Sequence, residues 1–108
     1  MPDTFSTERD RSIKEGFKML QLGNPEAAIE LLTPIANQQP VTKEVIECMR
    51  LAGIAFRQIE NFEASLRYLE DSLREARRFK EPRLEELASE EYATTVRANI
   101  KSRSTPSR

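Results

Sequence analysis

A chain of 108 residues, 38% apolar and 32% charged, is long enough for one hydrophobic core and too short for two. Its 17 Lys and Arg stand against 18 Asp and Glu, a balance that gives no overall attraction to nucleic acid or an anionic membrane. Histidine is absent and Cys48 is the single cysteine, which excludes intramolecular disulfides, Cys/His metal sites and most nucleophile-plus-base chemistry.

No apolar run approaches the roughly 18 residues of a membrane span. The opening MPDTFSTERD has no apolar core of a secretory signal. The expectation is a cytoplasmic protein of one domain, with residues 1–6 and 102–108 as polar, flexible ends.

Proline, glycine and asparagine divide the chain at helical intervals. A first helix is expected from about Thr7 to Leu22, with Ser6 as N-cap and Gly23 in the left-handed position after its end. Its apolar stripe is Ile13, Phe17 and Leu20, with Gly16 on the same face. Asn24-Pro25-Glu26 starts the second helix: the asparagine caps, proline takes the first turn, and glutamate meets the positive end of the dipole. Ala27, Ala28, Leu31, Leu32, Ile35 and Ala36 follow a three-four pattern, interrupted by Pro34, where a kink near Glu30–Pro34 is expected. Pro40 closes this hairpin, 7–39.

Thr42 caps a third helix reaching about Ile59. Val45, Cys48, Met49, Ala52, Ala55, Phe56 and Ile59 lie on one face, and Ile46, Leu51 and Ile54 widen it enough to meet neighbours on two sides. Asn61 caps a fourth helix carrying Leu66, Leu69, Leu73 and Ala76, completing a hairpin over 43–79. Pro82 opens a fifth over 82–101, with Leu84, Leu87, Ala88, Tyr92, Val96 and Ile100 along one side. No period-two run and no hairpin turn predicts a strand. The fold class is all-α: about five helices as stacked antiparallel hairpins.

The two hairpins are copies of one another. Gly16 aligns with Gly53, Met19 with Phe56, Ala28 with Ser65, and Leu32 with Leu69, at a period of 37 residues. These residues resemble the tetratricopeptide repeat (TPR) family, whose repeat is about 34 residues. The family places a small residue three before an aromatic on its first helix, then a small and a large residue four apart on the second. The first copy supplies Gly16, Met19, Ala28, Leu32 and Pro40; the second supplies Gly53, Phe56, Phe62, Ser65, Leu69 and Ser72. Neither copy opens with tryptophan, and the second lacks a closing proline. The resemblance spans residues 7–78, with the fifth helix as a cap, and Gly16 is expected to pack on Ala28 where two axes approach closely.

The resemblance implies a non-enzymatic adaptor whose concave groove, lined by the first helix of each hairpin, binds a peptide or protein. The implied contact residues are Asp10, Ile13, Phe17, Leu20 and Gln21 from helix one, and Glu47, Arg50, Ile54, Arg57 and Gln58 from helix three. Apolar groups beside two arginines suit a segment with acidic groups. The lysine–asparagine clamp of chaperone-binding members has no counterpart: Ile13, Phe17 and Leu51 stand at its positions.

No cofactor or metal is expected. Glu70-Asp71, Glu85-Glu86 and Glu90-Glu91 are adjacent carboxylates pointing about 100° apart on polar faces, a solvated surface rather than a catalytic pair. One alternative is self-association through leftover apolar faces, since two and a half repeats are near the minimum for stability. Another is nucleic-acid contact through Arg74, Arg77, Arg78, Lys80 and Arg83, because residues 74–108 carry 9 basic and 6 acidic groups while 1–73 carry 8 and 12.

Overall fold

A computed structural model describes residues 4–104, with side chains from Glu8 onward. The described residues form five helices and no strand: α1 (Thr4–Gln21), α2 (Pro25–Ala36), α3 (Lys43–Gln58), α4 (Phe62–Arg78) and α5 (Pro82–Ser104). Connections of three to six residues fold each helix back against its predecessor. The array measures 59 × 29 × 19 Å.

Local chemistry sets the boundaries. Asn24, Thr42 and Asn61 each accept a hydrogen bond from the backbone N–H three residues on, at 3.3, 3.3 and 3.2 Å, satisfying a donor that the first helical turn leaves open. Three helices end in one motif. The amides of Gly23 and Asn24 donate to the carbonyls of Leu20 and Met19, those of Glu60 and Asn61 to Arg57 and Phe56, and those of Lys80 and Glu81 to Arg77 and Ala76. This paired bonding closes a helix when the residue after its cap is left-handed. Gly23 does so freely at φ 76°, whereas Glu60 at 63° and Lys80 at 55° carry the steric cost of a Cβ.

Two termini differ from the sequence reading. Helix α1 begins at Thr4, so Ser6 lies inside it and is not its N-cap; serine costs a helix interior only a few tenths of a kcal/mol, too little to stop it. Helix α5 runs to Ser104, beyond the expected end near residue 101 and into the segment assigned to the polar tail. Ser104 donates from Oγ to the Ile100 carbonyl at 2.8 Å, and no proline intervenes before Pro106. Residues 1–3 and 105–108, also assigned to flexible ends, lie outside the described residues. Helix α2 continues through Pro34, which lies with Glu30 on its exposed side, and ends at Ala36, short of Pro40.

Packing follows the duplication. A Cβ built on Gly16 would stand 2.6 Å from Leu32 Cγ, and one on Gly53 would stand 2.5 Å from Leu69 Cγ. In both hairpins glycine lets the second helix press its leucine against the first helix's backbone. The close neighbour of Gly16 is therefore Leu32 rather than the expected Ala28. Leu32, Leu69, Ala28 and Ser65 are all fully buried.

Helix α3 is the centre of the molecule, packing on α2 and α4 and also touching α1 and α5; among the described residues no Cα pair of α1 with α5, or of α2 with α4, comes within 8 Å. Its breadth of apolar residues explains this, since Ile46 and Leu51 are buried as well as Val45, Cys48, Met49, Ala52 and Ala55. The main apolar cluster joins these α3 residues, Ile46 apart, to Ala28, Leu32, Ile35 and Ala36 of α2 and Tyr68 of α4, with Ile13, Met19 and Leu20 packed against it. Tyr68 stacks on Phe56 with centroids 5.5 Å apart and accepts a hydrogen bond from Asn37.

Candidate functional site

Because α1, α3 and α5 share one side of the array and the α1 and α5 backbones stay more than 8 Å apart, a groove opens between them with α3 as its base. Its volume is about 430 Å³. Ile13 on one wall faces Leu84 and Leu87 on the other, and the rim carries Asp10, Lys14, Lys43, Glu44 and Glu47. Apolar floors ringed by a few polar groups are the usual form of a recognition site.

The groove lies along the middle of α1 and toward the N-terminal ends of α3 and α5, and takes in Asp10, Ile13 and Glu47 from the expected contact set. The others fall elsewhere on α1 and α3. Phe17 is 46% exposed, and Gln21 and Gln58 are exposed at the helix ends. Leu20 and Ile54 are half-buried against the main cluster. Both arginines are already engaged. Arg50 forms an ion pair with Glu47 one turn back. Arg57 reaches across to α5, donating to Glu91 Oε1 at 2.8 Å and to the Glu91 carbonyl and Thr95 Oγ1 at 3.2 Å each. Their side chains are only 13% and 18% exposed, so neither offers a free cation to a ligand.

Lys14, Lys43, Glu44, Leu84 and Leu87 are groove residues that the sequence reading did not include in the contact set. Leu84 and Leu87 were recognisable as one face of a helix, but their place opposite Ile13 depends on how α5 packs. Lys43 reaches toward Glu81 at 3.6 Å.

The basic run at the α4–α5 junction is interleaved with carboxylates. Arg74 pairs with Asp71 and Glu75, Arg77 with Glu85, Arg78 with Glu75, and Arg83 with Glu86. A phosphate approaching this surface would compete with a carboxylate at each of these arginines.

Cys48 is fully buried. Burial, with a smaller contribution from Glu47, pushes its thiol up to about 12, the state of an unreactive core residue. Among the described residues no group of three or more His, Cys, Asp or Glu is placed to hold a metal, and no helix is long and apolar enough to cross a membrane.

No family model matches the chain, and neither a curated protein nor a solved structure is significantly similar to it.

Proposed function

We propose that this protein is a non-enzymatic adaptor of tetratricopeptide-like build, and that the groove between α1, α3 and α5 binds an apolar segment of a protein partner. One observation carries the reading: Ile13, Leu84 and Leu87 face each other across an open groove of about 430 Å³ instead of closing on one another. Apolar side chains left facing water in this way are stabilised when a partner covers them. Two further features support the repeat reading, namely the glycine–leucine contacts repeated at 37 residues and the placement of the odd-numbered helices along one side. A reducing compartment such as the cytoplasm suits a chain with one buried thiol.

The partner chemistry differs from the acidic segment implied by two free arginines. With Arg50 and Arg57 engaged internally, the rim offers Lys14 and Lys43 beside Asp10, Glu44 and Glu47. A mixed-charge rim around aliphatic side chains fits an amphipathic helix with aliphatic anchors.

A photo-reactive residue at Lys14, on the rim, tests this against one at Arg67, exposed on α4. Protein adducts in cells are expected from position 14, and Ile13→Asp should abolish them without lowering helicity. Equal adducts from both positions would remove the groove from consideration.

A second reading, self-association, draws on Leu22, Ile59 and Ile100, which are exposed at or near the C-terminal ends of α1, α3 and α5. Sedimentation across a hundredfold concentration range checks it. A constant monomer mass would exclude it.

A further inference from the structure

Every ion pair between different segments of the described chain ends on α5 or on the residue just before it: Lys43–Glu81, Arg57–Glu91 and Arg77–Glu85. The remaining pairs lie within one helix. Hydrogen bonds add to this seating, since Arg57 also holds Thr95, Thr95 Oγ1 lies 3.1 Å from Ser65 Oγ, and Tyr92 donates to Glu70 at 3.2 Å; the other helix-to-helix side-chain bonds run from Ser65 and Ser72 of α4 to the Gly53 and Ile46 carbonyls of α3.

Apolar burial runs the other way. No α5 residue is a member of the main apolar cluster or one of the partly buried apolar residues packed against it. Of its 23 residues only Ala88 and Thr95 are buried, while α3 buries eight of 16. The duplicated hairpins show where the difference arises. At the positions of Arg57 and Ser65, the first hairpin has Leu20 and Ala28. Helix α3 is therefore seated on its predecessors mainly by hydrocarbon, whereas α5, with Ala88 as its one fully buried apolar residue, depends more on charges and hydroxyls.

We propose that α5 is a releasable wall of the groove, clasped by the Arg57–Glu91–Thr95–Ser65 network, and that it detaches from α1–α4 as a separate unit. Detachment removes Leu84 and Leu87 from the groove, leaving Ile13 without its opposite wall. Closing the clasp and filling the groove then favour each other, because a ligand touching Leu84 and Leu87 binds only the docked form. That consequence rests on the groove being the binding site; the clasp itself does not.

Hydrogen exchange on the full, ligand-free chain, read by mass spectrometry, tests the clasp. Screening falls from about 10 Å at 0.1 M salt to about 3 Å at 1 M, so raising sodium chloride over this range should speed exchange in α5 at least about twofold and leave α1–α3 unchanged. Glu91→Gln, which removes the charge and keeps the shape, should speed α5 exchange about five- to tenfold at low salt. Thr95→Val should act in the same direction. Asp71→Asn, which breaks only a pair within α4, should not affect α5. Acceleration shared equally by all five helices, or absent from α5, would overturn the proposal. Should Glu91→Gln not fold, the salt series on the unmodified chain decides the matter. Because no ligand is used, failure here leaves the photo-crosslinking result standing, and failure of the cross-link leaves the clasp standing.

Discussion

Gly53→Ala sets two terms of opposite sign against each other. Alanine is favoured over glycine inside a helix by about 1 kcal/mol, so at an open site the substitution would stabilise α3. At this site the new Cβ would lie 2.5 Å from Leu69 Cγ, 2.8 Å from Leu69 Cδ2 and 3.2 Å from the Ser65 carbonyl oxygen. Leu69 is fully buried, so moving it aside displaces its core neighbours. The Ser65 carbonyl belongs to the α4 backbone, so relief requires the helices to separate, which stretches the 2.7 Å bond from Ser65 Oγ to the Gly53 carbonyl. Overpacking costs about 1–3 kcal/mol, and a weakened buried hydrogen bond adds about 1 kcal/mol. The net expected loss is about 1–3 kcal/mol. At about 4 °C per kcal/mol for a chain of this length, thermal unfolding followed by circular dichroism should show Tm lowered by about 4–12 °C. Leu69→Ala in the same chain removes the clashing atoms, so the double variant should lose less than the sum of the single losses. A Tm equal to or above that of the unmodified protein would refute the close-approach reasoning.

Glu60→Gly and Lys80→Gly should each raise stability by about 0.5–1 kcal/mol in urea unfolding, because both residues hold a left-handed backbone where a Cβ is disfavoured. Gly23→Ala should cost about 1 kcal/mol although nothing lies within 4 Å of its new Cβ, a purely conformational effect. Asn61→Ala, which removes the side chain that accepts from the Ala64 amide, should cost about 1 kcal/mol in the same assay. For Cys48, burial lifts the folded thiol from 9.0 to about 12, so between those values the unfolded chain binds fewer protons and stability falls as pH rises. The urea midpoint should drop less between pH 8 and about 10.5 in Cys48→Ala than in the unmodified protein. At pH 8 the native thiol should resist a disulfide reagent until denaturant is added.

The parts legible in the sequence depend on residues with few alternatives. Asn24, Thr42 and Asn61 mark helix starts because their side chains satisfy a specific backbone donor. Gly16 and Gly53 mark close approach because any other residue would meet a leucine. Helix ends were harder. Gly23 announces its left-handed turn, but Glu60 and Lys80 adopt the same conformation with residues that give no such sign. The start of α1 was misplaced for a related reason, since Ser6 is as acceptable inside a first turn as at its cap.

Site residues were legible only in part. Asp10, Ile13 and Glu47 were read from the repeat pattern and do line the groove. The interaction of Arg57 with Glu91 and Thr95 spans 34 and 38 residues and depends on how α5 is seated, which the period of neither hairpin determines. Leu84 and Leu87 were visible as an apolar face whose neighbour could not be named, because α5 has no aligned copy to supply the register.

The separation of the α1 and α5 backbones has a mechanical consequence. The two walls rest mainly on their own neighbours, α1 on α2 and α5 on α4, and only lightly on α3, so the width of the opening is the sum of two separate seatings. A small shift of either wall on its own neighbour therefore reaches the groove directly. Helix α3 lies between the two seatings, packed on both α2 and α4, and substitutions on its buried faces should change the width of the groove from a distance.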